Sequence, residues 1–127
     1  MSGDLVEIES SEDFAATLAR VTSAIESHGM SIFARIDHAA GARSVGLSMP
    51  ETIVLFYGNP KGGTPIMLEK PQAALDLPLR VLLREENGKV FVAFHPAATM
   101  LAWAGVPQAM AAKLAPAQQV IVDALKT

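Results

Sequence analysis

The residues with the most chemical promise are Gly58-Asn59-Pro60-Lys61-Gly62-Gly63-Thr64, which follow a strand-like run and precede a helix-like one. In that setting backbone N–H groups can converge on an anion. A phosphate-binding P-loop reads G-x-x-x-x-G-K-[ST]: glycine N–H groups line the phosphates, the lysine neutralises them and the hydroxyl holds magnesium. Gly58 and Gly63 have that spacing, but Thr64 stands where the lysine belongs and Pro65 removes an N–H from the helix start. A nucleotide phosphate is not expected here. The stretch can then serve in two ways. As a tight strand-to-helix connection, Pro60 restricts Asn59, the paired glycines adopt backbone angles closed to other residues, and Thr64 caps a short helix opened by Pro65. As a site, N–H groups left uncovered at Gly62 and Gly63, with Lys61 among them, hold a small anion or carboxylate.

Other polar residues offer less. His28, His38 and His95 show no H-x-x-H or H-E-x-x-H spacing, so no metal site is expected. No G-x-S-x-G turn occurs, and cysteine is absent, which excludes thiolate nucleophiles, disulfides and Cys-ligated metals. Asp37-His38 and Glu85-Glu86 are only sequence neighbours, and neighbours on a strand point to opposite faces. No catalytic residue is assigned. Met49, Met67, Met100, Met110 and Trp103 read as core and interface residues rather than a cofactor box, and no cofactor is expected.

The elements that must position these residues are legible from periodicity. Leu5 to Ile8 is a short strand, and Ser10 followed by Asp13 predicts a capped helix start. Phe14, Leu18, Val21 and Ile25 form one helical stripe that ends at His28-Gly29. Met30 to Ile36 reads as a strand with Ile32, Ala34 and Ile36 on one face, and Asp37 as the cap of a short helix. Thr52 to Tyr57 is a continuous β-branched and aromatic run, the pattern of a central strand covered on both faces. Leu79–Glu86 and Lys89–His95 flank Asn87-Gly88, the strongest short hairpin signal. Its register pairs Glu86 with Lys89 and, counting back, Arg80 with His95. Leu83, Val92, Val81 and Phe94 then share the core face, and Arg80, Arg84 and His95 the other. Two facing cations repel, so a neutral imidazole, a carboxylate or a bound anion should share that space. Pro96 opens a helix stopped by Gly105, Pro107 opens another, and Pro116 should kink or divide it.

The whole chain of 127 residues, half of them hydrophobic, suits one domain with a packed core. Ten basic and 13 acidic residues are mixed along it for a net charge of −3, which argues against nucleic acid as a partner. There is no apolar run of about 18 residues or signal-peptide pattern, so no membrane partner is expected and a soluble, cytoplasmic protein is.

On FYGNPKGGTPIM and DLPLRVLLREENGKVFVAF the sequence resembles a bacterial family known as domain of unknown function 302. The resemblance covers nearly the whole chain. It implies a compact α+β domain with helices packed on a mixed sheet of about five strands, often dimeric, with no established activity. The family's recurring residues, here Asn59, Pro60, Gly63, Thr64, Pro65, Asp76, Pro78 and Leu79, are rich in turn formers.

The expected function is a binding domain for a small anionic or polar ligand at Asn59, Lys61, Gly62, Gly63 and Thr64, helped by Arg80 and His95. An enzyme acting on a small polar metabolite, with His38 or His95 as general acid or base, is the alternative. A homodimeric interaction module is the third, because a single helix stripe cannot bury Val120, Ile121 and Val122 together. Its interface would include the segment from Pro96 to Leu125 or an exposed sheet edge.

Overall fold

The Asn87-Gly88 turn organises the sheet. In the computed structural model, which describes residues 4–126, Asn87 has φ 53° and Gly88 φ 80°, the left-handed pair that a two-residue type I′ turn needs. It joins β4 (Leu79–Glu86) to β5 (Lys89–Phe94), which pair from Glu86–Lys89 to Leu82–Ala93 as the register predicts. Further along, β4 pairs with β3 (Thr52–Gly58), setting Arg80 opposite Phe56, while Phe94 of β5 lies opposite Val6 of β1 (Val6–Ser10). The β4–β5 ladder stops at Leu82–Ala93 and β5 itself ends at Phe94, so the expected Arg80–His95 pair does not form.

With β2 (Ser31–Asp37) the strand order is β1-β5-β4-β3-β2. All four pairings are antiparallel, so the sheet is not the mixed one that the resemblance implied. The reason is topological. β1 and β2 run in the same direction through the crossover helix α1 (Phe14–Ser27), but they occupy opposite edges and never become neighbours.

The helices that build the core cover one face. Ile53, Leu55 and Tyr57 of β3 are buried, as are Leu79, Val81 and Leu83 of β4 and Val92 and Phe94 of β5. They join Val21 and Ile25 of α1, Met100 and Leu101 of α4 (Ala97–Ala102) and Ile121 of α6 (Ala115–Ala124) in one core. The alternate residues Val54, Phe56, Leu82 and Phe91 are only partly buried. β3 is thus paired on both sides but covered on one face, and β4, not β3, is the middle strand. On β2 a bulge lies between Ile32 and Ala34. Because it inserts Phe33, Ile32 sits opposite Tyr57 on the covered side while Ala34 and Ile36 oppose Phe56 and Val54 on the open side. The three do not share a face.

The cap of α1 is Asp13, whose Oδ1 accepts from the Ala16 N–H at 2.8 Å. Ser10 is still part of β1, and its hydroxyl meets the buried Thr17 hydroxyl at 2.6 Å. Asp37 caps α2 (His38–Ser44) as expected, accepting from Ala40 N–H at 2.9 Å. Pro107 precedes α5 (Gln108–Ala111), and Pro116 sits in the first turn of α6. Ile121 is buried and Val120 and Val122 are half-buried, so the late apolar run finds a place within the chain. It supplies no reason for a second surface; Trp103 is the one large apolar residue of that segment left exposed.

Gln118 was not singled out by sequence. It is 5% exposed, its Oε1 accepts from Ala97 N–H at 2.9 Å, and its Nε2 donates to the His95 carbonyl at 2.9 Å. One amide therefore holds the β5–α4 junction against α6. Gln118→Leu leaves both backbone groups unpaired and is expected to lower stability by about 1–3 kcal/mol. Gln119→Ala, on the exposed side, should stay within about 0.5 kcal/mol. Urea unfolding of both variants, with unchanged m-values, checks the contrast.

Candidate functional site

β3 ends at Gly58, whose φ of 154° is one that residues with a Cβ rarely adopt. The next residue starts α3 (Pro60–Glu69). Asn59 is its cap: Oδ1 accepts from the Lys61 N–H at 2.9 Å, and the Asn59 carbonyl accepts from Gly62 N–H at 2.9 Å and Gly63 N–H at 3.2 Å. Pro60 occupies the first turn, where its missing donor costs nothing. Asn59 to Thr64 is thus a cap and a first turn rather than a loop, and Thr64 is not the cap. Pro65 lies inside the helix, where the bond it forgoes is the one to Lys61, and both residues are exposed. The glycines have a packing role. A Cβ on Gly62 would meet Leu114 Cδ2 at 3.3 Å, closer than most real contacts, so this glycine lets α3 approach the segment before α6.

The Gly62 and Gly63 N–H groups expected to hold an anion are therefore occupied by Asn59, as is that of Lys61. What lies beside them is a cleft of about 660 Å³, within the size range of small-molecule pockets. Asn59, Lys61, Gly62, Gly63 and Thr64 all line it. Its other walls are mostly apolar: Met30 and Phe33 from the β2 side, Met67 of α3, Leu77, and Leu114 beside α6. Among the described residues, Lys61 and Lys113 are the only charged ones that line it, and no carboxylate does.

Tyr57 also lines the cleft. It is fully buried, and its hydroxyl has no hydrogen-bond partner. Burial pushes the phenol well above its ordinary value of 10.0, so it is a neutral donor and acceptor throughout the physiological range. An unpaired buried hydroxyl is unfavourable by about 1–3 kcal/mol unless something supplies its bond. The parity of Ile53, Leu55 and Tyr57 puts the ring on the covered face, which is the sequence signal that could have found it. Lys113, Met30 and Phe33 reach the cleft through tertiary packing and leave no local signal.

Arg80 and His95 do not line the cleft. Between buried Leu79 and Val81, Arg80 points to the open face, where its guanidinium lies 5.2 Å from the Phe56 ring centroid. Its Nε is buried there without a partner. Arg84 repeats the arrangement over Phe91 at 4.7 Å and pairs with Glu7 at 3.1 Å and with Glu86. His95 is exposed just past β5 and is held by its carbonyl, not its ring. His38, the first residue of α2, is also exposed. Among the described residues neither imidazole has a carboxylate within ion-pair distance, and no group of three or more His, Asp or Glu could hold a metal ion.

Fold and site define a two-layer α+β domain with a mostly apolar cleft where its third strand enters a helix. The chain belongs to the family described as Domain of unknown function DUF302, whose model matches residues 6–127. The crystal structure of an uncharacterized conserved DUF302 protein from Bacillus stearothermophilus superimposes with a TM-score of 0.88 at 15% identity, covering 97% of this chain and 98% of that one. Among curated relatives, the chain is 44% identical over 89 residues to the fluoride-specific ion channels FluC 1 of Brucella suis and FluC 2 of Brucella melitensis. The match takes in 69% of this chain but only 35% and 33% of theirs. Among the described residues no helix is long and apolar enough to cross a membrane.

Tyr57 is the sole tyrosine, so its titration can be read directly. Below pH 10 both folded and unfolded chains keep the proton. Above it the unfolded chain loses the proton first, so this group's stabilising contribution falls as pH rises, by up to about 1.4 kcal/mol per pH unit. Tyrosinate absorbance of the folded protein should stay absent at pH 10, and the stability difference between wild type and Tyr57→Phe should acquire this slope only above that pH. Half-ionisation near 10 in the folded protein would show that the hydroxyl is not buried.

Proposed function

We propose that this chain is a cytoplasmic, non-enzymatic binding domain that holds a small molecule with a polar or anionic group in the cleft beside Asn59 to Thr64. The observation that carries the proposal is the buried, unpartnered hydroxyl of Tyr57, a residue that lines the open cleft. A ligand that bonds to it removes a standing cost of the empty protein. The ligand group also meets Lys61 and Lys113, the cations of that wall.

A thermal-shift screen of carboxylates, phosphates, nucleotides and neutral polar molecules tests this, with fluoride included because of the relatives named for it. A true ligand raises the midpoint saturably, by mass action on the folded state. Tyr57→Phe should be at least as stable as wild type when empty and should lose most of the ligand-induced shift. Equal shifts in both proteins would place binding elsewhere.

A homodimer is a second proposal, now motivated by a different surface. Leu68, Leu75 and Trp103 are 79%, 83% and 69% exposed. Leu68 is on α3, Leu75 on the 3₁₀ turn Pro71–Asp76 that packs against both α3 and α4, and Trp103 directly follows α4; apolar side chains left out on such neighbouring segments suit a two-fold contact. Trp103 is the sole tryptophan. Its emission should shift to the blue as protein concentration rises, in step with the mass from light scattering, and Trp103→Glu should hold the protein monomeric. A constant monomer mass at high micromolar concentration would overturn the dimer.

A further inference from the structure

We infer that the ligand of this cleft is an apolar monocarboxylate, an aliphatic or aromatic acid whose body lies between Phe33, Met67, Leu77 and Leu114 while its carboxylate meets the Tyr57 hydroxyl and the two lysines. This rests on the reading of the cleft as a binding site and names the class of molecule it takes.

Three independent observations converge on that class. First, the walls are apolar and adaptable: two methionines, Met30 and Met67, face the cleft, and Phe33, displaced by the β2 bulge, is left half exposed at its side. Thioethers adjust to irregular apolar shapes, so these walls suit a hydrocarbon body. Second, the charge at the cleft is positive although the chain as a whole carries −3. Lys61 and Lys113 have flexible stems that can bring an ammonium to an anion without a preformed fork. Third, Tyr57, a residue of the cleft wall, carries a neutral buried phenol O–H that has no acceptor. It can donate to one carboxylate oxygen.

The same geometry disfavours phosphorylated ligands. Phosphate recognition at a helix start uses free backbone N–H groups, and those of Lys61, Gly62 and Gly63 are bonded to Asn59. No arginine lines the cleft, so bidentate capture is also missing. An amine would meet two like charges and no carboxylate.

The test is calorimetric titration of the full chain with octanoate, 3-phenylpropionate, octan-1-ol, octylammonium and inorganic phosphate, with the ring resonances of the sole tyrosine followed by NMR. Octanoate and 3-phenylpropionate should bind saturably and shift the Tyr57 resonances. Octan-1-ol should bind about tenfold or more weakly, because it lacks the charge-assisted contacts, and octylammonium and phosphate should not compete. The double variant Lys61→Ala, Lys113→Ala changes only exposed side chains. It should remove most of the preference for acid over alcohol. If octan-1-ol binds wild type as tightly as octanoate, or phosphate displaces octanoate, the carboxylate class is wrong and the cleft remains a binding site. If no member binds, or octanoate binds with Tyr57 unmoved, both conclusions fall.

Discussion

Burial of every second side chain of β3, β4 and β5 under a single layer of helices is the constraint on which the rest of this molecule depends. A strand alternates with period two, so a sheet covered on one side divides its residues strictly between core and open face. Ile53, Leu55 and Tyr57 go under the helices, and Val54 and Phe56 go outward. That division carries Tyr57, the last of its row, into the wall of the cleft. By the same rule, Arg80 is turned away from the cleft to lie over Phe56. A one-residue slip of β3 would turn Tyr57 outward, and one of β4 would turn Arg80 inward.

The character of the cleft follows from a second, smaller constraint. Asn59 caps α3 with both its side chain and its carbonyl and thereby satisfies the N–H groups of Lys61, Gly62 and Gly63. A glycine-rich turn with free donors is a nest for oxyanions; the same glycines inside a capped helix are spacers. Gly62 admits Leu114, and the helix start closes against the segment before α6. What is left for a ligand is carbon on most sides, two ammonium groups and one phenol.

Much of the fold is legible in the sequence because it rests on local rules. The Asn87-Gly88 hairpin, the stripe of α1, the Asp37 cap and the division at Pro116 each follow from a few adjacent residues. The misreadings are those in which local signals compete. Ser10 and Asp13 are both good caps, and only the pairing of Ser10 with Val90 in the sheet decides for Asp13. Thr64-Pro65 looks like a helix start, yet Asn59-Pro60 is the same motif one turn earlier and is the one used. The bulge at Phe33 has no marker in the residues around it. The turn Asn59 to Thr64 lies in the wall of the cleft, but its N–H groups are taken by hydrogen bonds that depend on where the helix begins. Lys113 lies about fifty residues further along the chain and joins Lys61 only through packing.

The Phe33 bulge has a consequence beyond re-aiming one ring. β2 is an edge strand with most of its residues exposed, and such an edge offers a row of unpaired N–H and C=O groups on which another chain could build. A bulge breaks the even spacing of that row and twists it locally, so that a flat strand cannot match it in register over its length. Arg35 adds a charge beside the break. The interruption that admits an apolar side chain to the wall of the cleft thus also guards the sheet against open-ended growth into fibres.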